Sequence, residues 1–281
     1  MPRVSILMAA YQAEATIEAA VASVLAQDLT DWELIIASDC GRDYLTLLQG
    51  WRIVDDRLRM VRTDGIGLGP AAARNAAMAA ARGDYLAVLD ADDTWRPGRL
   101  AALLPLARVA GLVCDNTRAM APDGWTIATA YPVSDRQWRI DAVDLVRSGV
   151  PHFPVLRREL AGAGYRENLR FAEDVAFNIE AIARNGAMTV SGQPLCDYIQ
   201  WPDSLCNTPD SWRRAEAAYG DIVALIEAEN WAVPGGQKAA LLAAFTAKRA
   251  LNRAYGEAVA AGRADSFQQF LADRTSDIAA T

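Results

Sequence analysis

The feature that most constrains this chain is a rhythm in its first hundred residues. Short apolar runs, "VSILMA" (4–9), "WELIIAS" (32–38), "LRMVRT" (58–63) and "DYLAVLD" (84–90), read as strands. Between them, "AEATIEAAVASVLAQ" (13–27), "DYLTLLQGW" (43–51) and the Ala-rich "GPAAARNAAMAAARG" (69–83) read as helices, the last with Gly83 as its C-cap. Strands alternating with helices in this way predict a parallel sheet with helices on both faces. Ligands of such sheets bind beyond the carboxyl ends of the strands. That rule selects Ala9, Ala10 and Tyr11 after the first strand, Asp39 after the second, and Asp90, Asp92 and Asp93 after the fourth.

Past residue 100 the rhythm loosens. "RPGRLAALLPLARVAG" (96–111) reads as a helix with Pro97 near its start, and 112–130 as two strands around a turn at Pro122–Gly124. Residues 150–158 read as extended, 171–186 as an amphipathic helix ending at Gly186, and 187–201 as strand and loop. From Ser211 the chain reads as helical with a break at "AVPGGQ" (232–237), and the final "TSDIAAT" is expected to fray. At 281 residues, 52% hydrophobic and 22% charged, the chain can bury a sizeable core. A net charge of −7 argues against a nucleic-acid partner. No apolar run is long enough to span a bilayer, and the N-terminus reads as a strand, so a cytoplasmic location is expected. Four scattered cysteines and a single histidine, His152, make a zinc site a poor reading and buried thiols a better one.

"DADD" (90–93) is the densest chemical signal. Three carboxylates at the end of a buried strand repel one another and lose hydration, so something should offset the cost. One reading is a turn in which Asp90 or Asp93 caps the following helix. The other is a hard-cation site, because Mg²⁺ and Mn²⁺ take carboxylate oxygens and often leave other positions to substrate phosphates.

The stretch 67–100 resembles the family 2 glycosyltransferases, inverting enzymes of the GT-A fold that use nucleotide-sugars. It carries their Gly-x-x-x-Ala-Arg-Asn helix start, their Gly-Asp-Tyr strand start, and their Asp-x-Asp-Asp end followed by Trp and Pro. The opening 4–39 is similar to their first strand, Tyr-Asn-x-x-x-x-Ile helix and second strand. "ENLRFAEDVAFNIEAIARNG" (167–186) resembles their Glu-Asp helix, and "YIQWPDSLCN" (198–207) is a weaker match to Tyr-Arg-x-His-x-x-Ser-x-Ser.

The resemblance implies a GT-A, Rossmann-like α/β domain over 1–210. Residues 1–110 would bind the nucleotide-sugar and 111–210 the acceptor, with a helical extension over 211–281. It implies that Ala9, Tyr11 and Asp39 hold the nucleotide, Asp39 through the N3–H of a uracil base. Arg74 would sit at the rim of that pocket. Asp90 would lie near the ribose or metal, Asp92 would be the metal ligand and Asp93 a second contributor. Asp174 would be the general base, with Glu173 beside it. Three positions depart from the pattern: Ser38-Asp39-Cys40-Gly41 replaces Asp-Asp-Gly-Ser, Gln12 replaces Asn, and Trp201 stands where a His often assists the diphosphate. Trp201 is therefore a candidate for stacking on the donor.

Together these readings predict transfer of a sugar from a nucleotide-sugar, UDP-linked by the presence of Asp39, to a glycan or lipid-linked hydroxyl. A divalent ion on Asp92 would offset charge on the leaving diphosphate, and Asp174 would take the acceptor proton. A nucleotidyltransferase is the rival enzyme, but "MAAYQAEAT" (8–16) lacks a Gly-rich, basic triphosphate loop. A degenerate GT-A fold serving as a nucleotide-sugar binding or assembly module is the non-enzyme rival. A lipid-linked acceptor would bring the protein to the inner face of the membrane.

Overall fold

The computed structural model describes residues 3–279 apart from 203, 205, 209, 229, 230, 232–235 and 265. The break expected at 232–237 therefore falls largely outside the described residues, as do 280 and 281 of the terminal stretch.

The first half follows the alternation. Strands β1 (Val4–Ala10), β2 (Trp32–Ser38), β3 (Leu58–Arg62) and β4 (Tyr85–Val88) are separated by helices α1 (Ile17–Leu25), α2 (Tyr44–Gly50) and α3 (Pro70–Ala80). They pair in parallel in the order β3-β2-β1-β4. Both faces of β1 are covered, which is why its sequence is apolar throughout and not alternating. Ile6 and Met8 join one core cluster and Leu7 the other.

The second half is mixed. It comprises β5 (Thr94–Trp95), α4 (Arg99–Ala110), β6 (Leu112–Met120), β7 (Thr126–Thr129), β8 (Gln137–Ile140), α5 (Ala142–Arg147), β9 (Val155–Arg157), α6 (Glu173–Asn185) and β10 (Met188–Ile199). Short β9 lies antiparallel between β4 and β6 and joins the halves; β10 runs parallel to β6. Helices α7 (Ser211–Glu227), α8 (Lys238–Ala260) and α9 (Phe267–Ala279) follow. Tyr219, Ile222, Leu241 and Phe245 of α7 and α8 share one core cluster with Val146 of α5 and Ile179 of α6, so the C-terminal helices back directly onto the helix that carries Glu173 and Asp174. No helix among the described residues is long and apolar enough to cross a membrane.

Two local expectations are corrected. Gly83 does not cap α3, which ends at Ala80 with Ala81 as its C-cap. Gly83 is needed for close approach: a Cβ there would lie 2.6 Å from the Ser5 nitrogen. Nor does Asp90 or Asp93 cap α4. That helix starts after Gly98 in a left-handed conformation, with no side-chain cap.

Candidate active site

Asp39 and the Asp90–Asp93 motif follow the carboxyl ends of the parallel strands β2 and β4, and a buried arginine ties Asp90 to Glu173. Arg74, on α3, is 4% exposed. Its Nη2 donates to Asp90 Oδ1 at 2.5 Å and its Nη1 to Glu173 Oε1 at 2.6 Å. The guanidinium also lies over the Tyr165 ring, 5.4 Å from its centroid. Arg74 is therefore not at a pocket rim, as the sequence suggested. It is the link between the end of β4 and the start of α6, and the two carboxylates hold its pKa above the ordinary range against the opposing effect of burial. The neighbouring Asn75 completes the link. Its amide donates to the Tyr165 carbonyl at 2.9 Å and accepts from the Tyr165 N–H at 2.8 Å. The Arg-Asn pair thus fixes the chain that enters α6.

Helix α6 begins under strain. Ala172 precedes it at φ 57° and ψ 23°, a left-handed conformation uncommon for a residue with a Cβ. No side chain caps the helix, so its first-turn N–H groups face Glu173 and Asp174, charges the helix dipole favours there. Burial pushes both carboxyls above their usual range, and Arg74 pulls both back down. Glu173 is committed to Arg74, whereas the bond to Asp174 that lowers its pKa comes from the Val175 N–H. Asp174 is the member of the pair that no cation ties down directly.

The three aspartates after β4 have separate tasks. Asp90 accepts from Arg74. Asp93 is 1% exposed, and its Oδ1 accepts from the Ile199 N–H at 2.8 Å, fastening the end of β10. Its Oδ2 is buried with no partner, and burial beside Asp92 and Asp90 raises its pKa strongly. Asp92 is half-buried; burial first, then the Asp90 charge, push its pKa up to about 6. Trp201 donates its indole N–H to the Asp92 carbonyl at 3.0 Å, so it holds the backbone of the motif. Among the described residues no three His, Cys, Asp or Glu side chains converge on a cation position. Asp90 gives one oxygen to Arg74 and Asp93 one to the Ile199 N–H, whereas Asp92 makes no such side-chain commitment. What remains fits a hard cation held through Asp92, with most of its other ligands supplied by a bound diphosphate.

Asp39 is 2% exposed and carries a loop. Its Oδ1 accepts from Thr63 Oγ1 at 2.9 Å and Leu68 N at 3.0 Å, and its Oδ2 from Gly69 N at 2.8 Å. With about four lone-pair sites on a carboxylate, one position on Oδ2 stays open. Arg170 donates to the Leu68 carbonyl and clasps the same loop from the segment before α6. Tyr11 is 52% exposed, with its ring 3.9 Å from where a Cβ on Gly67 would lie. Ala9 is half-buried beside it in β1. Gln12 sits at φ 50°, a conformation asparagine adopts more readily, which accounts for the Asn in the resembling pattern.

His152, Arg157 and Arg158 make structural contacts. His152 is buried, with Nε2 3.1 Å from the Tyr131 hydroxyl, and burial pushes its pKa down to about 4. Arg157 and Arg158 donate to the carbonyls of Arg108, Gly83 and Ala81. Sequence reasoning missed Lys248 of α8, whose Nζ donates to the carbonyls of Val146 and Ser148, each at 3.0 Å. Nothing in the sequence singled it out, because its neighbours lie a hundred residues away.

A family model described as glycosyl transferase family 2 matches residues 5–161. The chain belongs to glycosyl transferase family 2. TuaG of Bacillus subtilis, a putative teichuronic acid biosynthesis glycosyltransferase, is 28% identical over 78% of this chain and 86% of its own length. The succinoglycan biosynthesis protein ExoO of Rhizobium meliloti is 40% identical, over 44% of this chain and 36% of its own length. Among solved structures, S. aureus TarS in complex with UDP-GlcNAc superposes with a TM-score of 0.65 at 18% identity, covering 88% of this chain and 72% of that one. Mannosyltransferase PcManGT from Pyrobaculum calidifontis, in complex with GDP-Man and Mn2+, covers 100% of this chain and 81% of its own at a TM-score of 0.63 and 16% identity. The chain has the GT-A fold of these structures with a helical C-terminal region, it spans about a third of the length of ExoO and most of the length of TuaG, and relatives of this kind are named for polysaccharide biosynthesis.

Proposed function

We propose that this glycosyltransferase moves a sugar from a nucleotide-sugar to a hydroxyl of a glycan or lipid-linked acceptor, with inversion and with a divalent cation. The observation that carries the reading is the Asp90–Arg74–Glu173 chain of ion pairs. It couples the strand end bearing Asp92 to the helix start bearing Asp174, so a leaving-group site and a base site adjoin in one rigid unit.

On this reading Asp92 holds Mn²⁺ or Mg²⁺, which supplies positive charge against the departing diphosphate. Trp201 keeps the backbone of that motif in place. Arg74 keeps Glu173 and Asp90 paired, so the acceptor proton goes to Asp174, whose raised pKa brings it closer to the operating pH. A base on one side and a leaving group on the other give displacement with inversion and need no nucleophilic side chain. The acceptor half is 111–210. A lipid-linked acceptor, such as the diphosphoundecaprenol-linked sugar for which the E. coli relative WfgD is named, would bring the protein to the membrane surface.

The donor is a uridine nucleotide, for which the open position on Asp39 Oδ2 is suited. Calorimetric titration with Mn²⁺ is expected to give tighter binding for UDP than for GDP; tighter GDP binding would overturn the assignment. The pKa of Asp92 gives a second check. Its folded value of about 6 lies above the usual aspartate value near 3.9, so its ionisation costs the native state stability as pH rises through that window. Asp92→Asn removes that cost. Without metal, the variant should unfold at a higher temperature than the parent at pH 7, with the gap closing at pH 4. In the same variant Mn²⁺-dependent UDP affinity should fall at least tenfold. A variant that binds UDP like the parent would refute the metal assignment.

A further inference from the structure

The C-terminal helices reach the base. Behind Asp174 lies a small pocket of about 20 Å³, lined by Asp174, Asn178, His152, Ser148 and Lys248 together with apolar side chains. That is room for one water. Its polar wall is incompletely paired. Asn178 is 2% exposed and gives its amide N–H to the His152 carbonyl, but its Oδ1 is buried with no hydrogen-bond partner. Lys248 spends two of its three N–H donors on the carbonyls of Val146 and Ser148 at the end of α5.

We propose that one ordered water in this space accepts from Lys248 Nζ and donates to Asn178 Oδ1 and to the Asp174 carboxylate, making Lys248 a positioning residue for the base. The water then has three partners, the usual complement for a buried one, and its donors and acceptor balance. Lys248 fixes the rotamer of Asp174 from behind and leaves its other oxygen for the acceptor hydroxyl. The region 211–281 thereby becomes part of the catalytic apparatus and not an appendage. The proposal rests on Asp174 acting as the base.

The other groups around Asp174 would act unequally on it. Arg74 from α3 favours its ionised form, while Asp90 beyond β4 and Glu173 beside it oppose that form. Tyr165, Tyr219 of α7 and Cys206 are neutral acids held neutral by burial, and His152 is held neutral as well. Lys248 is the second cation facing Asp174, and burial has already lowered its own pKa to about 8. Loss of Lys248 therefore raises the Asp174 pKa.

The test is the Asp174 carboxyl titration, followed by NMR in protein labelled with ¹³C at aspartate carboxyls and assigned with Asp174→Asn. In Lys248→Met the titration should move up by about one pH unit, the smaller end of what a nearby charge produces. Arg249→Met, on the same helix but paired with Glu216, controls for loosening of α8 and should leave it in place. An unchanged titration in folded Lys248→Met, or an equal shift in Arg249→Met, overturns the proposal. Because the titration needs no substrate, failure here is distinct from failure of the transferase mechanism. The pH profile of UDP release from the sugar donor, read alongside, should show its acidic limb displaced in the same direction in Lys248→Met, with the donor KM unchanged.

Discussion

Asp174→Asn is expected to leave the donor complex intact and to slow transfer by about 10²–10⁴-fold, the usual worth of a general base. The substitution keeps size and hydrogen bonding and removes only the basic oxygen, so the loss should fall on turnover and not on UDP affinity. Glu173→Gln should behave differently. Glu173 already accepts from Arg74 at 2.6 Å, and its amide would still accept one such bond. Its variant should retain more activity than the Asp174 variant in single-turnover measurement. A dead Glu173 variant beside an active Asp174 variant would move the base by one position.

Arg74→Met is expected to be the most damaging single change to stability. It leaves Glu173, 8% exposed in its side chain, and Asp90 without their shared cation. Removing one partner of a buried pair costs about 3–5 kcal/mol. For a chain of this size that lowers the melting temperature by roughly 10 °C. The deficit should depend on pH. Glu173 already titrates above its ordinary value through burial, and loss of Arg74 raises it further. A carboxyl whose folded pKa is raised stabilises the native state only while protonated, so the deficit is smallest below about pH 4 and grows as pH rises through the folded pKa. Adding Glu173→Gln to Arg74→Met should recover part of the loss. Thermal unfolding across pH checks all three statements, and a melting temperature unchanged at pH 7 would contradict the role given to Arg74.

The parts of this molecule that sequence made legible are those governed by local period. β1 to β4 and α1 to α3 stand where apolar runs and helical spacing put them, within a few residues. β5, β8 and α5 did not stand out, because a strand of two residues, an edge strand with exposed Gln137 and Arg139, and a helix of six carry too little pattern. The site was legible as a set of motifs but not as a division of labour. Asp90, Asp92 and Asp93 look alike in a string. Their tasks depend on Arg74, Trp201 and Ile199, up to 109 residues distant. Arg74 looked like a pocket residue because its motif adjoins the nucleotide half. Its second partner, Glu173, lies 99 residues away across a contact that only the folded sheet creates. Gly83 looked like a cap because a glycine after a helix usually is one, and the close approach of β1 that requires it is invisible in one dimension.

The central claim is that Asp92 and Asp174 serve opposite sides of one reaction, donor retention and proton removal. Calorimetric titration of UDP in the presence of Mn²⁺ tests it without knowledge of the acceptor, using the parent, Asp92→Asn and Asp174→Asn. The account predicts that the parent and Asp174→Asn bind with the same affinity, within about twofold, while Asp92→Asn binds at least tenfold more weakly. Equal binding by the parent and Asp92→Asn, or loss of binding in Asp174→Asn, would contradict it.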